Sequence, residues 1–349
     1  MDKFGSGYYK KELSPVFTMK GLNQTGEPVP RLKTQIILVY LRIVNLDPQA
    51  QEMAVIVDFS YRWPDLRLRW DPADYGGLDV FWLKADQVWF PENVISDVQA
   101  INDMTPENQR QVKVFSNGSV WYYFATSARA ACQMDVRVFP FDTQDCTLGF
   151  SVLTYNPDFV TSTSELSPNF LTSQETGNGE WVVKNVSTFS EMIGGQTFAY
   201  EYVGFNVQLK RQPQYYVFVI ILPCFVLTML SIVGMFWNAH VKEEKLTKLS
   251  IGLTSMMSMT LLLDMMSKEI PKTATFPLLG FYVIFSIATI ALGCAVVVIV
   301  SSPSQPHKKK PLSDKLRDYL SSKTFVLQFA FQLLNAINFI VLMSFWWRS

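Results

Sequence analysis

Two of the four cysteines in this 349-residue chain have a spacing that predicts covalent chemistry. Cys132 and Cys146 are separated by 13 residues, and they are the only pair outside the long apolar runs. In an oxidising compartment such a pair is expected to form a disulfide. Closing a loop of this size constrains the unfolded chain by about 3 kcal/mol in the entropic account. Cys224 and Cys294 lie within apolar runs, where they are expected to pack as small side chains.

A second set of residues has the spacing of a polar stripe on a membrane helix. Six side chains in the segment 249–270 recur every three or four residues, which places them on one helical face: Ser250, Thr254, Met257, Leu261, Asp264 and Lys268. A charge at bilayer depth faces either the interior of a bundle or water. The stripe is therefore either a buried polar seam in a four-helix bundle or the wall of a water-filled pore lined by several copies of the helix.

Enzymatic chemistry finds little support in the sequence. The only histidines, His240 and His307, lie in polar linkers, and no nucleophile motif, metal-ligand cluster or glycine-rich phosphate loop is present. We therefore expect no enzyme activity, no cofactor and no metal site. Nucleic-acid binding is not expected either, because 30 basic residues balance 30 acidic ones and the single lysine run spans residues 308–310.

The elements that must position the stripe are membrane helices. Runs 215–237, 276–300 and 325–347 contain no Asp, Glu, Lys or Arg. Each is long enough to cross a hydrocarbon core, which needs about 20 helical residues. Together with 249–270 they predict four spans, so a purely soluble protein is excluded. The charged fraction of 17% agrees, since soluble domains carry about 25%.

The first 213 residues show strand-like alternation instead. Segments 34–46, 54–61 and 112–115 are rich in Val, Ile, Tyr and Phe, and turn-forming pairs such as Asn117-Gly118 separate such segments. Many short strands without helical periodicity predict an antiparallel β-sandwich. A short helix is expected within residues 14–26. We therefore expect an extracellular β-sandwich domain over 1–213 and a four-helix transmembrane domain over 214–349.

The distribution of lysines predicts the membrane topology. The linkers 238–248 and 301–324 are lysine-rich, so both are expected in the cytosol and both chain ends outside. Residues 1–16 lack the apolar core of a signal peptide, and we expect the start to be a mature terminus. Three glycosylation sequons agree with an extracellular first domain: Asn23, Asn117 and Asn185.

The segment between the first two cysteines resembles the signature of the Cys-loop receptors, the pentameric ligand-gated ion channels. In that family 13 residues separate the cysteines, and Phe-Pro-Phe-Asp-x-Gln precedes the second one. The chain carries this pattern without a departure: Phe139, Pro140, Phe141, Asp142 and Gln144. Other motifs extend the similarity over nearly the whole chain, among them Trp63-Pro64-Asp65, Arg211-x-Pro213 and Ile270-Pro271.

The resemblance implies a coupling region that carries agonist binding to the pore. We call residues 132–146 the cysteine loop. The expected members of the coupling region are the apolar tip of the cysteine loop, two complementary charges and the loop after the second span: Phe139, Pro140, Phe141, Asp142, Arg211, Pro271 and Lys272. A purely structural salt bridge between Asp142 and Arg211 is an equal alternative, and the two roles are compatible.

The resemblance also implies an agonist site between subunits, where aromatic side chains hold an amine by cation–π attraction. One face carries Tyr200, Phe198 and Tyr155, with Leu153 where a tryptophan is usual and Ser96 where a tyrosine is usual. The complementary face carries Asp58 where a tryptophan is usual, with Trp121 and Tyr123. The cysteine pair typical of nicotinic α subunits is missing. Asp58 is expected to pair with an amine, or the pocket serves another class of ligand, and core packing of each aromatic stays an alternative.

Aligning residues 248–271 with the family's pore helix places Met257 at the central gate. Repeated five times, Met257 and Leu261 form apolar rings that block ions by dewetting. Thr247 replaces the glutamate usual in cation channels, and the Pro-Ala-Arg of anion channels is absent. Asp264 supplies a carboxylate ring and Lys268 a basic ring at the wider outer mouth, where solvent screens it more strongly. We expect cation selectivity; an anion channel or a non-conducting accessory subunit is the alternative.

The expected partners follow from this family resemblance. They are four further subunits of the same chain, a small-molecule agonist, membrane lipids and permeant monovalent ions, with no nucleic acid. The expected location is the plasma membrane, which the chain crosses several times.

Overall fold

The structure is a computed structural model that describes residues 9–16, 31–170, 176–195, 199–236, 244–270, 275–299 and 323–348. It divides into two compact units, one made of residues 1–134 and 144–210, the other of residues 135–143 and 211–349. Most of the segment between Cys132 and Cys146 therefore belongs with the helices rather than with the strands on either side of it. Of the expected helix within 14–26, Pro15 and Val16 are helical, and the remainder lies outside the described residues.

The first unit is a β-sandwich with these strands in its described part: β1 (Leu32–Asp47), β2 (Glu52–Pro64), β3 (Val80–Lys84), β4 (Asn93–Ser96), β5 (Val98–Asp103), β6 (Gln111–Phe115), β7 (Ser119–Ala131), β8 (Thr143–Val152), β9 (Val160–Leu166), β10 (Trp181–Gly194) and β11 (Ala199–Arg211). The larger sheet has the order β3-β6-β7-β2-β1-β9, with β5 also beside β7. The smaller sheet has the order β10-β11-β8-β4.

The prediction of an antiparallel sandwich is confirmed, with one parallel pair added to it. Strand β9 lies parallel to β1, from Leu32 opposite Val160 to Leu38 opposite Leu166. Parallel neighbours need a long connection, and here most of the first unit lies between the two strands. Single helical turns also lie between the strands. One of them is Pro72–Tyr75, which Asp71 caps at its start. Such turns are too short to produce a helical period in the sequence.

An aromatic cluster joins the two sheets. Phe59 of β2 has its ring 5.4 Å from that of Phe124, 5.1 Å from that of Phe150 and 5.9 Å from that of Phe205. These partners come from β7, β8 and β11, so each sheet contributes two strands to the cluster. Alternation along β2 explains the arrangement, because the odd-numbered positions 53–63 are all apolar or aromatic and share the sheet face directed to the core.

The four predicted spans are confirmed as helices α1 (Gln214–Phe236), α2 (Glu244–Glu269), α3 (Leu278–Ile299) and α4 (Lys323–Arg348). Within α1, residues Val217–Ile221 form a wider π-helical turn just before Pro223. Proline has no N–H to donate to the carbonyl four residues earlier, so a local change of hydrogen-bond spacing is expected there.

Helix α4 is attached to its neighbours by amide side chains. Gln332 Nε2 donates to the Met229 carbonyl at 2.9 Å, and Asn338 Nδ2 donates to the Tyr282 carbonyl at 3.2 Å. Between α1 and α2, the hydroxyl oxygens of Ser231 and Ser255 lie 2.6 Å apart. These polar contacts fix which face of each helix turns toward the bundle, since buried polar groups in lipid must find partners.

Candidate functional site

The predicted disulfide is present. The Cα atoms of Cys132 and Cys146 lie 5.0 Å apart, and both residues are buried. Cys132 directly follows β7 and Cys146 lies within β8, so the bond ties a strand of the larger sheet to a strand of the smaller one. Cys224 and Cys294 are buried free cysteines, as their apolar surroundings predict.

Replacing Cys132 with serine is expected to abolish surface assembly. The substitution removes a constraint of about 3 kcal/mol on the unfolded chain and leaves two polar groups where a buried bond had been. Surface biotinylation measures the loss, and Cys146→Ser should give the same result. Alkylation of both Cys132 and Cys146 in protein purified without reductant would contradict the presence of the disulfide, and normal surface abundance of Cys132→Ser would contradict its role in assembly.

A buried ion pair holds the end of the cysteine loop. Arg211 Nε donates to Asp142 Oδ1 at 2.9 Å, and Nη2 donates to Oδ2 at 3.3 Å. The Arg211 backbone N–H also donates to the Asp142 carbonyl at 3.2 Å. Both side chains are only 1% exposed. The two-pronged geometry is the one that binds a carboxylate most firmly, and it compensates two charges that would be costly to bury alone.

Aromatic rings surround this pair. The Phe139 ring centroid lies 4.8 Å from Arg211 Cζ and 4.8 Å from the Tyr216 ring, and Arg211 Nη1 donates to the Tyr216 hydroxyl at 3.4 Å. Phe141 stacks near Trp346 of α4, with centroids 6.4 Å apart. The two phenylalanines of the loop tip therefore contact α1 and α4.

The loop also bonds to the start of α3, where the Leu278 N–H donates to the Arg137 carbonyl at 3.0 Å. Sequence reasoning missed Tyr216, Leu278 and Trp346. Only Tyr216 gave a signal, since it closely follows the Arg211-x-Pro213 motif. Pro140 follows a cis peptide bond. Pro271 and Lys272 lie outside the described residues.

The stripe on α2 faces away from the other three helices. All six of its side chains are exposed in the single chain, with Met257 at 67%. The opposite side of α2 packs inward: Met259 and Met266 are buried, and a Cβ added to Gly252 would lie 2.1 Å from Cys294 Sγ. Glycine at this position therefore permits the close approach of α2 and α3. The stripe is not a seam buried among the chain's own four helices.

The two charges of the stripe form an ion pair within one helix. Lys268 Nζ lies 3.0 Å from Asp264 Oδ2, one turn away, and both side chains are mostly exposed. Exposed pairs of this kind contribute little to stability. Their main effect here is electrostatic, because the one carboxylate of the stripe, Asp264, has a positive charge beside it.

The residues predicted for the first agonist face lie on or beside the smaller sheet where they are described. Ser96 Oγ of β4 lies 2.7 Å from Ser151 Oγ of β8. Leu153 is half exposed just after β8, and the half-buried Tyr155 ring lies 6.3 Å from the Trp89 ring. Tyr200 is half-buried on β11. Phe198 lies outside the described residues.

The residues predicted for the complementary agonist face lie on the larger sheet. In the register of β2 and β7, Asp58 is opposite Ala125, and residues 60 and 62 are opposite Tyr123 and Trp121. Asp58, Trp121 and Tyr123 therefore share one sheet face, the one directed away from the aromatic core. Partial burial raises the pKa of Asp58. The two predicted agonist faces thus lie on different sheets of the chain.

The sequons lie at surface positions where they are described. Asn117 is exposed in the turn between β6 and β7, and its Oδ1 accepts from the Ser119 N–H at 2.8 Å. Gly118 beside it has a φ of +86°, a conformation that favours glycine. Asn185 is exposed on β10. Asn23 lies outside the described residues.

Comparison with known proteins places the chain in one family. The family model for the neurotransmitter-gated ion-channel ligand binding domain matches residues 2–213, and the model for the transmembrane region of the same channels matches residues 220–328.

Similar curated proteins include the human neuronal acetylcholine receptor subunit beta-3, which is 28% identical over 84% of this chain and 66% of its own length. The rainbow trout (Oncorhynchus mykiss) neuronal acetylcholine receptor subunit alpha-9-II is 28% identical over 92% of this chain and 57% of its own length. The Caenorhabditis elegans proton-gated ion channel subunit pbo-6 is 23% identical over 82% of this chain and 67% of its own length.

The chain spans 66% of the length of the human beta-3 subunit and 57% of the length of the trout alpha-9-II subunit. The matched domains, the disulfide loop and the four membrane helices agree with one another. The chain belongs to the neurotransmitter-gated ion-channel family, that of the Cys-loop receptors, as a multi-pass plasma-membrane protein with an extracellular ligand-binding domain.

Proposed function

We propose that the chain is a subunit of a pentameric ligand-gated ion channel that opens a cation-selective pore when an agonist binds outside the membrane. The observation that carries this proposal is the exposed stripe on α2. Its polar and charged side chains are turned away from the bundle, while the opposite side of α2 packs against α1 and α3. A charge at membrane depth that its own bundle does not bury needs water or another subunit.

Five identical copies around one axis would supply both. Each copy contributes Ser250 and Thr254 to the cytosolic half of the pore, Met257 and Leu261 to its closed gate, and Asp264 and Lys268 to its outer part. The same topology keeps the lysine-rich linkers inside the cell and the C-terminus outside. Membrane lipids contact the outer helices, among which α4 carries many exposed apolar side chains.

The agonist site of the proposal lies between neighbouring subunits. Its two predicted faces are on different sheets of one chain, so a site that uses both needs one face from each of two copies. One face offers Tyr200, Phe198 and Tyr155 with Leu153 and Ser96. The other offers Asp58, Trp121 and Tyr123. Two of the relatives are named acetylcholine receptor subunits, but Leu153, Ser96 and Asp58 depart from the aromatic box that their family uses.

The coupling region of the proposal is the cysteine loop with its buried ion pair. Its tip contacts α1, α3 and α4, so a displacement of the loop would act directly on the membrane helices. Asp142 and Arg211 fix the loop to the chain at the point where β11 continues into α1. Pro271 and Lys272 complete the proposed region.

Charge selection rests on the balance between Asp264 and Lys268. Within a narrow low-dielectric pore the five carboxylates concentrate negative potential, and each has a lysine 3.0 Å away that opposes it. We expect Lys268→Gln to raise inward cation current roughly two- to threefold, since it removes five opposing charges from a focused field. Asp264→Asn should lower conductance or cation preference.

The measurement is the reversal potential under a dilution gradient of sodium chloride, in cells that express this chain alone. Lys84→Gln, at an exposed position of the first unit, is the matched control and should leave conductance unchanged. A reversal potential that tracks chloride would overturn the cation assignment. Ligand binding at the cell surface without any current would instead favour a non-conducting accessory subunit.

A further inference from the structure

A single row of side chains crosses four strands of the larger sheet and alternates aromatic rings with cations. Cross-strand partners place Trp82 of β3 opposite Lys113 of β6, Lys113 opposite Trp121 of β7, and Trp121 opposite Arg62 of β2. We call these four residues the cation–aromatic row. It lies on the same sheet face as Asp58 and Tyr123, directed away from the core.

The members of the row are in contact. Arg62 Cζ lies 3.8 Å from the centre of the Trp121 ring, and Lys113 Nζ lies 5.9 Å from that ring and 5.7 Å from the Trp82 ring. Phe115 extends the aromatic surface, with its ring centre 4.7 Å from that of Trp121 and 4.9 Å from Lys113 Nζ. Each separation is within cation–π or aromatic contact distance.

Among the described residues, the positive charges of the row have no carboxylate partner. In the part of the chain that the structure describes, no ion pair involves Arg62 or Lys113. Asp58 is four residues from Arg62 along β2, which is about 13 Å in an extended strand. That distance exceeds the Debye length of about 8 Å at physiological salt. Arg62 Nε donates to Ser60 Oγ at 3.4 Å, which leaves the N–H groups of both terminal nitrogens for other acceptors.

This arrangement changes the class of ligand that the face can bind. An aromatic box attracts an ammonium group only when its ring faces are open to that group. Here the cations of the protein itself already lie over the rings, so an added ammonium would meet like charge. A carboxylate would meet two positive charges and a guanidinium fork that matches its geometry. The exposed Trp82, at 61%, offers an apolar surface beside them.

We propose that the cation–aromatic row binds the carboxylate of an anionic small molecule, and that the aromatic members of the row contact the apolar part of the same molecule. The inference deepens the proposed function, since Trp121 belongs to the proposed agonist site. It assigns Arg62 and Lys113 as binding residues and makes the complementary face selective for anions.

The test uses two probes of similar shape and opposite charge, phenylacetate and phenethylammonium. Each is added at about 10 mM, at constant ionic strength, to the full chain in detergent, and the shift in Tm and the heat of binding are measured. We expect phenylacetate to raise Tm and phenethylammonium to have no effect. Arg62→Gln and Lys113→Gln should each weaken phenylacetate binding roughly tenfold, as loss of a charge-assisted contact predicts.

Arg129→Gln is the matched control. Arg129 is exposed on β7, on the same sheet face as Trp121, and it lies eight positions farther along the strand, about 26 Å away in an extended strand. Its replacement should leave binding unchanged. Arg62→Glu should invert the preference toward phenethylammonium. If Arg62→Gln fails to fold, the test uses Lys113→Gln and Arg62→Lys instead. Arg62→Lys should retain part of the phenylacetate binding.

Four outcomes would overturn the inference. Three concern the probes: phenethylammonium binds more strongly, both probes bind equally, or neither binds. The fourth is phenylacetate binding that Arg62→Gln and Lys113→Gln leave unaffected. A chain that conducts ions but fails this test leaves the channel proposal standing. A chain that binds phenylacetate as expected but passes no current supports anion recognition and contradicts the channel.

Discussion

Agonist-evoked current will be lost when Asp142 is replaced by alanine. The substitution leaves the Arg211 guanidinium buried without its carboxylate, and removing one partner of a buried pair costs about 3–5 kcal/mol. The pair fixes the cysteine loop at the beginning of α1. At the loop tip, Phe139 contacts Tyr216 and Phe141 contacts Trp346. We therefore expect a fall in surface abundance together with loss of coupling in the receptors that reach the surface.

Two measurements separate the structural part of this effect from the coupling part. Surface biotinylation counts assembled receptors, and whole-cell current divided by that count reports coupling. Arg211→Gln should match Asp142→Ala, and the two changes combined should cost less than their sum, because the second removes a charge that the first left unpaired. Normal current per surface receptor in the single variants would reduce the pair to a purely structural role.

The loop supplies its own matched control in the exposed pair of Asp135 and Arg137. Arg137 Nη2 lies 2.5 Å from Asp135 Oδ2, and hydrogen bonds from Arg137 hold the pKa of Asp135 below its usual value. The pair has the same residue types as Asp142 and Arg211, but solvent surrounds it. Asp135→Ala should therefore change surface abundance and current little. A loss as large as that of Asp142→Ala would show that loop charge, rather than burial, is the cause.

Replacing Met257 with serine will open the resting pore. Five exposed methionines at one level form an apolar ring that excludes water when narrow, and five hydroxyl groups would let water in. We expect standing current without agonist, or agonist sensitivity increased roughly tenfold, which corresponds to about 1.4 kcal/mol in favour of the open state. The measurement is current before and during application of any agonist found to activate the chain.

Met265→Ser is the control for Met257→Ser. Met265 is also exposed on α2, but eight residues at 3.6 per turn place it about 80° around the helix from Met257. Its replacement should leave resting conductance unchanged. If Met257→Ser has no effect in a chain shown to conduct, or if Met265→Ser alone produces leak, the proposed register of the pore helix is wrong.

Much of this protein could be predicted from patterns confined to short stretches of sequence. Three uncharged runs predicted three spans, and the helical spacing of the stripe within segment 249–270 predicted the fourth. Alternation predicted the strands, and the spacing of Cys132 and Cys146 predicted their disulfide. Such properties are local, because hydropathy, periodicity and turn chemistry depend on neighbours along the chain. The motif around Phe139 and Asp142 then predicted the family, which the comparisons confirmed.

Other features depend on contacts between distant segments, and only the tertiary structure decided them. The parallel pairing of β1 with β9 and the place of residues 135–143 among the helices leave no period in the sequence. The sequence likewise does not indicate which side of α2 packs on α3. That side depends on the close approach of Gly252 to Cys294.

The cation–aromatic row shows the physical reason most clearly. Its members occupy positions 62, 82, 113 and 121, and only Trp121 was predicted from the sequence to be a site residue. The four meet because strand register brings one residue from each of four strands into line. Register follows from the pairing of whole strands, in which a slip of one residue would turn each side chain to the opposite face. Residue types were readable from the sequence, whereas which cation would lie over which ring was decided by the sheet.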